Sequence, residues 1–179
     1  GFALPAAAGV TGVRYATAQQ MHHAVLAALS CDVAVCAAAV ADWRPATQVT
    51  QKIKKTGPED SPPPLALVPN PDILAELSAP TALRPKLVIG FAAETQTVLT
   101  HARDKFHRKG CDWLVANDVS PGTGVMGGMD NKVFLLSRNG TEEWPLMGKD
   151  EVARHLVQRV VDWRAGSVEE RYDSEDGGP

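Results

Sequence analysis

The sequence predicts an α/β fold in which a mostly parallel sheet lies between two layers of helices. Three observations carry that expectation: continuous apolar runs at residues 32–38, 86–91 and 112–116, amphipathic helical patterns between and after them, and a hairpin signal late in the chain. Short apolar runs bounded by turn residues suit strands covered on both faces, and their alternation with helices suits parallel crossovers. With 179 residues, 44% hydrophobic and 22% charged, the chain can bury one real core and is too apolar for wholesale disorder.

Residues 12–16 read as a short strand. Thr17 then caps a helix whose apolar residues Met21, Val25, Leu26 and Leu29 recur at helical spacing. The run 32–38 follows as a strand buried on both faces. Residues 44–70 are less regular, with Gly57, three consecutive prolines at Pro62, Pro63 and Pro64, and the cluster Lys52-Ile53-Lys54-Lys55. A stretch of that length and composition predicts a flap or hairpin projecting from the sheet. Asn70-Pro71-Asp72-Ile73 reads as a helix start, with Asn70 as cap and Pro71 in the first turn.

The buried run 86–91 leads into a helix over 95–109 that places Val98, Leu99, Ala102 and Phe106 on one face. The third run, 112–116, ends at Asn117-Asp118 and a glycine-rich loop. Residues 132–137, a turn at Asn139-Gly140 and residues 141–146 make an edge hairpin. An amphipathic helix over 149–163 closes the domain with Val152, Leu156, Val160 and Trp163. The domain is expected over residues 1–167. Residues 168–179 hold five acidic residues against one basic and read as a solvated acidic tail.

Composition narrows the function classes. A net charge of -3 provides no cationic field for nucleic acid, and no apolar run approaches the roughly 18 residues of a membrane span, so neither partner is expected. Three cysteines without a Cys-x-x-Cys pair argue against a disulfide framework or zinc site and favour a reducing cytoplasm. The chain starts Gly1-Phe2-Ala3, which reads as a processed, trimmed or partial chain rather than a secretory precursor.

Open parallel sheets bind ligands beyond the carboxyl ends of their strands. Three segments leave strands there: Ala39-Val40-Ala41-Asp42, Ala92-Ala93-Glu94 and Asn117-Asp118. Their small side chains would let a ligand approach the backbone; the plainer alternative is that they are turn and cap residues. Lys105 and Lys109 share a helix face and could hold a polyphosphate, or simply be a solvated helix end. Lys52 and Lys54 would share one face of an extended flap, aimed at an anion or protecting a strand edge.

Gly122-x-Gly124-x-x-Gly127 matches a dinucleotide pattern literally, but a strand follows it where that fingerprint requires a helix. All five histidines fall in predicted helices, Cys36 lies inside a buried strand, and Trp43 either stacks on a base or covers the core.

Taken in order, Ala37-Ala38-Ala39-Val40-Ala41-Asp42-Trp43-Arg44, Lys52-Ile53-Lys54-Lys55, Asn70-Pro71-Asp72-Ile73, Gly90-Phe91-Ala92-Ala93-Glu94-Thr95 and Ala116-Asn117-Asp118-Val119 resemble one family. The chain is similar to phosphopantothenoylcysteine synthetase, the carboxyl-terminal half of the bifunctional flavoprotein of bacterial coenzyme A synthesis, from about Leu4 to Trp163. The resemblance implies a three-layer Rossmann-like sheet with a lysine-bearing flap. It also implies CTP-dependent joining of 4'-phosphopantothenate to cysteine through an acyl-cytidylate, with Mg2+, in a homodimer.

By the same resemblance Lys52 is the catalytic flap lysine, and Asp42, Lys52, Asn70, Pro71, Asp72, Ile73, Phe91, Lys105 and Lys109 meet the nucleotide. Metal ligands are not assigned. The family's flavin-binding half has no counterpart here, so FMN is not expected in this chain. The family's synthetase opens with a strand, a glycine turn and an asparagine tied to the acyl-cytidylate step, and nothing here matches them; Gly1 to Val10 resembles the loop after the family's second strand. A nucleotide-binding module without turnover is therefore the alternative to an active ligase.

Overall fold

The structure, a computed structural model, describes residues 8–47, 64–94, 98–118 and 130–166. Its first helix, α1 (Ala18–Ala27), starts where expected: Thr17 is extended and its hydroxyl accepts the Gln20 N–H at 3.2 Å. The strand β1 (Val33–Cys36) follows, then a hairpin of β2 (Trp43–Pro45) and β3 (Leu67–Pro69). Next come the short helix α2 (Ile73–Ser78), β4 (Leu87–Glu94), α3 (Val98–Lys109) and β5 (Trp113–Asp118). The chain continues through β6 (Asp130–Asn131), β7 (Val133–Ser137), β8 (Gly140–Glu143) and β9 (Met147–Gly148) into α4 (Lys149–Arg164).

The main sheet has the order β1-β4-β5-β7-β8. β1, β4 and β5 run parallel; β7 and β8 are added antiparallel, as the expected edge hairpin. Alternation along the strands sorts the core into two layers. Val88, Ala92, Leu114, Ala116, Phe134 and Leu136 pack under α1, α2 and α3, while Leu87, Ile89, Trp113, Val115, Val133 and Leu135 pack under α4 with Trp144. Helices on both faces of the sheet make the three layers. Gly90 lets α2 sit close: a Cβ there would meet Leu74 Cδ2 at 2.6 Å.

Several expectations change. Residues 12–16 pair with no strand among the described residues, and Val13 and Tyr15 are 62% and 49% exposed. An apolar alternation becomes a strand only where a neighbour supplies ladder partners. The sequence predicts β1 to be covered on both faces, yet among the described residues it is an edge strand with one parallel neighbour, and Val35 is 53% exposed. The second hairpin strand stops at Glu143 rather than 146, because Trp144 turns inward and becomes buried. The cluster Lys52–Lys55, the glycine-rich loop and the acidic tail lie outside the described residues. So does most of the stretch expected to form the flap, whose two ends pair as the β2–β3 hairpin.

Candidate functional site

The carboxyl ends of the parallel strands meet as the sequence suggested. Ala93 pairs with Asn117 and Glu94 with Asp118, while β1 ends opposite Gly90 and passes through residues 37–42 to the hairpin. Asn70 closes that passage. Its N–H donates to Asp42 O and its Nδ2 to Ala41 O, both at 2.8 Å. Arg44 adds a brace by donating from Nη1 to Pro69 O. Asn70 is thus committed to a loop 29 residues away, and the helix cap passes to Asp72.

Asp72 Oδ1 accepts the Ala75 N–H at 3.2 Å and starts α2 two residues later than the sequence implied. Its Oδ2 is ion-paired with Lys109 at the end of α3. Partial burial opposes the charge on Asp72, but the Lys109 hydrogen bond, the Ala75 N–H and the charges of Lys109 and Arg108 together hold its carboxyl below the usual range. Lys109 is not the solvated helix end of the alternative reading: its side chain is 17% exposed. Lys105, one turn earlier, is half-buried and has no carboxylate partner among the described residues.

The structure therefore links Asp42, Asn70, Asp72 and Lys109 in one run of contacts, with Pro71 between the two bridging residues and Lys105 on the same helix. Ile73 is 7% exposed within the core under α1 to α3, so its side chain is packing. Phe91 is not joined to this run; its half-buried ring packs on the α4 side of the sheet. Trp43 does not cover the core, being 60% exposed on a hairpin outside the main sheet. Lys52 cannot be placed within the described residues.

Residues the sequence reading missed are mostly braces: Arg44 on Pro69, and His22 on α1, whose Nε2 lies 2.6 Å from Glu76 Oε2 on α2. Their pairing depends on tertiary proximity that spacing does not encode. Burial raises the thiol of Cys36, and pushes Cys111 up to about 11. Both stay protonated at neutral pH and serve as packing. A cavity of about 150 Å³ between the β7–β8 hairpin and α4, lined by Trp113, Ser137, Glu142 and Arg159, contains none of the site residues. No three His, Cys, Asp or Glu side chains gather as metal ligands among the described residues. No described helix is long and apolar enough to cross a membrane.

The family model for the DNA/pantothenate metabolism flavoprotein C-terminal domain matches residues 2–163. The chain belongs to this family. It is 42% identical over 158 residues to the coenzyme A biosynthesis bifunctional protein CoaBC of Vibrio cholerae, covering 88% of this chain and 39% of that protein. It is 43% identical over 169 residues to CoaBC of Mycobacterium tuberculosis, covering 89% and 40%. The crystal structure of a CoaBC C-terminal domain superposes with a TM-score of 0.69 at 31% identity, over 91% of this chain and 70% of that one. The chain spans about two fifths of the length of these curated relatives. The family's α/β fold, with a central parallel sheet and a separate antiparallel hairpin, is the fold found here.

Proposed function

We propose that this chain carries the synthetase function of the CoaBC C-terminal domain in coenzyme A biosynthesis: CTP-dependent ligation of 4'-phosphopantothenate with cysteine. The observation that carries this reading is the contact run from Asp42 through Asn70 and Asp72 to Lys109, because it joins in space three of the segments that the family resemblance assigns to one nucleotide. In that reaction the substrate carboxylate attacks the α-phosphate of CTP and pyrophosphate leaves. The cysteine amine then attacks the acyl carbon, releasing CMP.

Attack by a carboxylate on a polyphosphate meets like-charge repulsion, which Lys105 and Lys109 would offset and Lys52 would complete from the flap. Mg2+ bound to the nucleotide would neutralise phosphate oxygens. A homodimer is expected by resemblance.

Pyrophosphate release that requires CTP and 4'-phosphopantothenate, with CMP and phosphopantothenoylcysteine formed only when cysteine is added, tests the proposal. Lys52→Ala should lower that rate by at least about a hundredfold if the flap lysine stabilises developing charge; full activity in that variant would remove Lys52 from the mechanism. The alternative is a nucleotide-binding module without turnover. CTP binding by calorimetry without pyrophosphate release would select it.

A further inference from the structure

The last turn of α3 holds His107, Arg108 and Lys109, and Lys109 is drawn inward to 17% exposure against Asp72. A cation withdrawn from water to that degree needs a counter-charge in a defined place. Asp72 supplies one whose direction is set, because its other oxygen is engaged by the Ala75 N–H at the start of α2. The backbone on each side of the pair is also held. Gly110, at φ +65, donates its N–H to Phe106 O at 3.0 Å and ends α3 immediately after Lys109. On the other side, Leu74 is seated against Gly90 and fixes α2 on the sheet.

We infer that Asp72 is a positioning residue that acts on a polyphosphate through Lys109, and not itself a ligand of the nucleotide. An ammonium has three donors. Asp72 takes one and fixes the head group, which leaves the others to meet phosphate oxygens without first ordering a flexible side chain. The inference rests on the nucleotide-dependent reading above but concerns only the polyphosphate. It differs in sign from a simple charge effect. A carboxylate that merely sat near the phosphates would repel them, so removing its charge would tighten binding; a positioning carboxylate, once neutralised, weakens it.

The test is a double-mutant cycle on the full chain, with CTP and inorganic tripolyphosphate titrated calorimetrically into the wild type, Asp72→Asn, Lys109→Ala and the double variant. Asparagine caps helices as well as aspartate does, so α2 should still start at the same residue, and Asp72→Ser provides a second neutral cap if the first variant folds poorly. Asp72→Asn is expected to weaken both ligands about tenfold in the wild-type background and less than about twofold when Lys109 is already alanine.

Equal losses in both backgrounds, or tighter binding, would overturn the inference while leaving the synthetase reading intact if ligation proceeds. Coupled tripolyphosphate binding without ligation would support the inference and count against the synthetase. A wild-type chain that binds neither ligand would overturn both.

Discussion

β4 and β5 are hydrogen-bonded along both edges and covered on both faces, with Val88, Ile89, Leu114 and Val115 at 0% exposure; among the described residues β1 has one neighbour and leaves Val35 at 53%. The helices follow the same division. α4 buries Val152 and Leu156, whereas α1 has no buried residue. The difference shows where the site draws its rigidity. Lys105 and Lys109 are carried by the finished half of the sheet, and Asp42 hangs from the open half. Asn70 and Asp72 connect the two, so opening on the β1 side would separate the site before the scaffold yields.

The comparison breaks most visibly under core truncation. Leu114→Ala should cost about 3 kcal/mol of stability, while Val35→Ala should change it by less than about 0.5 kcal/mol; both are read from the denaturant midpoint. Comparable losses would mean that β1 is as well covered as β5. A smaller effect is expected at the bridge. Asn70→Ala removes the bond to Ala41 O and should cost about 1 kcal/mol, with faster amide exchange in residues 41–46 and none of that change in β4 or β5.

The smallest effect is in pH. Asp72 stays charged to lower pH when folded than an ordinary carboxylate, so its contribution is present above about pH 4 and fades as pH falls through the lowered folded value. The stability gap between wild type and Asp72→Asn, measured by urea unfolding, should therefore be open at pH 7 and narrow as the pH is lowered below about 4. A gap that persists in acid would mean the charge is not what joins Asp72 to α3.

What the sequence disclosed and what it concealed divide along the range of the interactions. Thr17 as a cap, the continuous apolar runs of β4 and β5 covered on both faces, and Val152 and Leu156 on α4 are local patterns, and each is where the sequence placed it. Residues 12–16 and β1 have strand patterns too, but pairing and coverage come from elsewhere in the chain. The cap assignment moved from Asn70 to Asp72 because the Asn70 amide is held 29 residues away. Lys105 and Lys109 look alike as a pair of helix lysines, yet only Lys109 has a carboxylate partner among the described residues, and that partner is 37 residues distant.

The most direct measurement follows oxygen: 4'-phosphopantothenate labelled with 18O in its carboxylate is turned over with CTP and cysteine, and the products are weighed by mass spectrometry. An acyl-cytidylate route delivers one labelled oxygen into CMP, because the carboxylate oxygen that attacks the α-phosphate leaves with it. Unlabelled CMP, label in free phosphate, or no phosphopantothenoylcysteine at all would contradict the account.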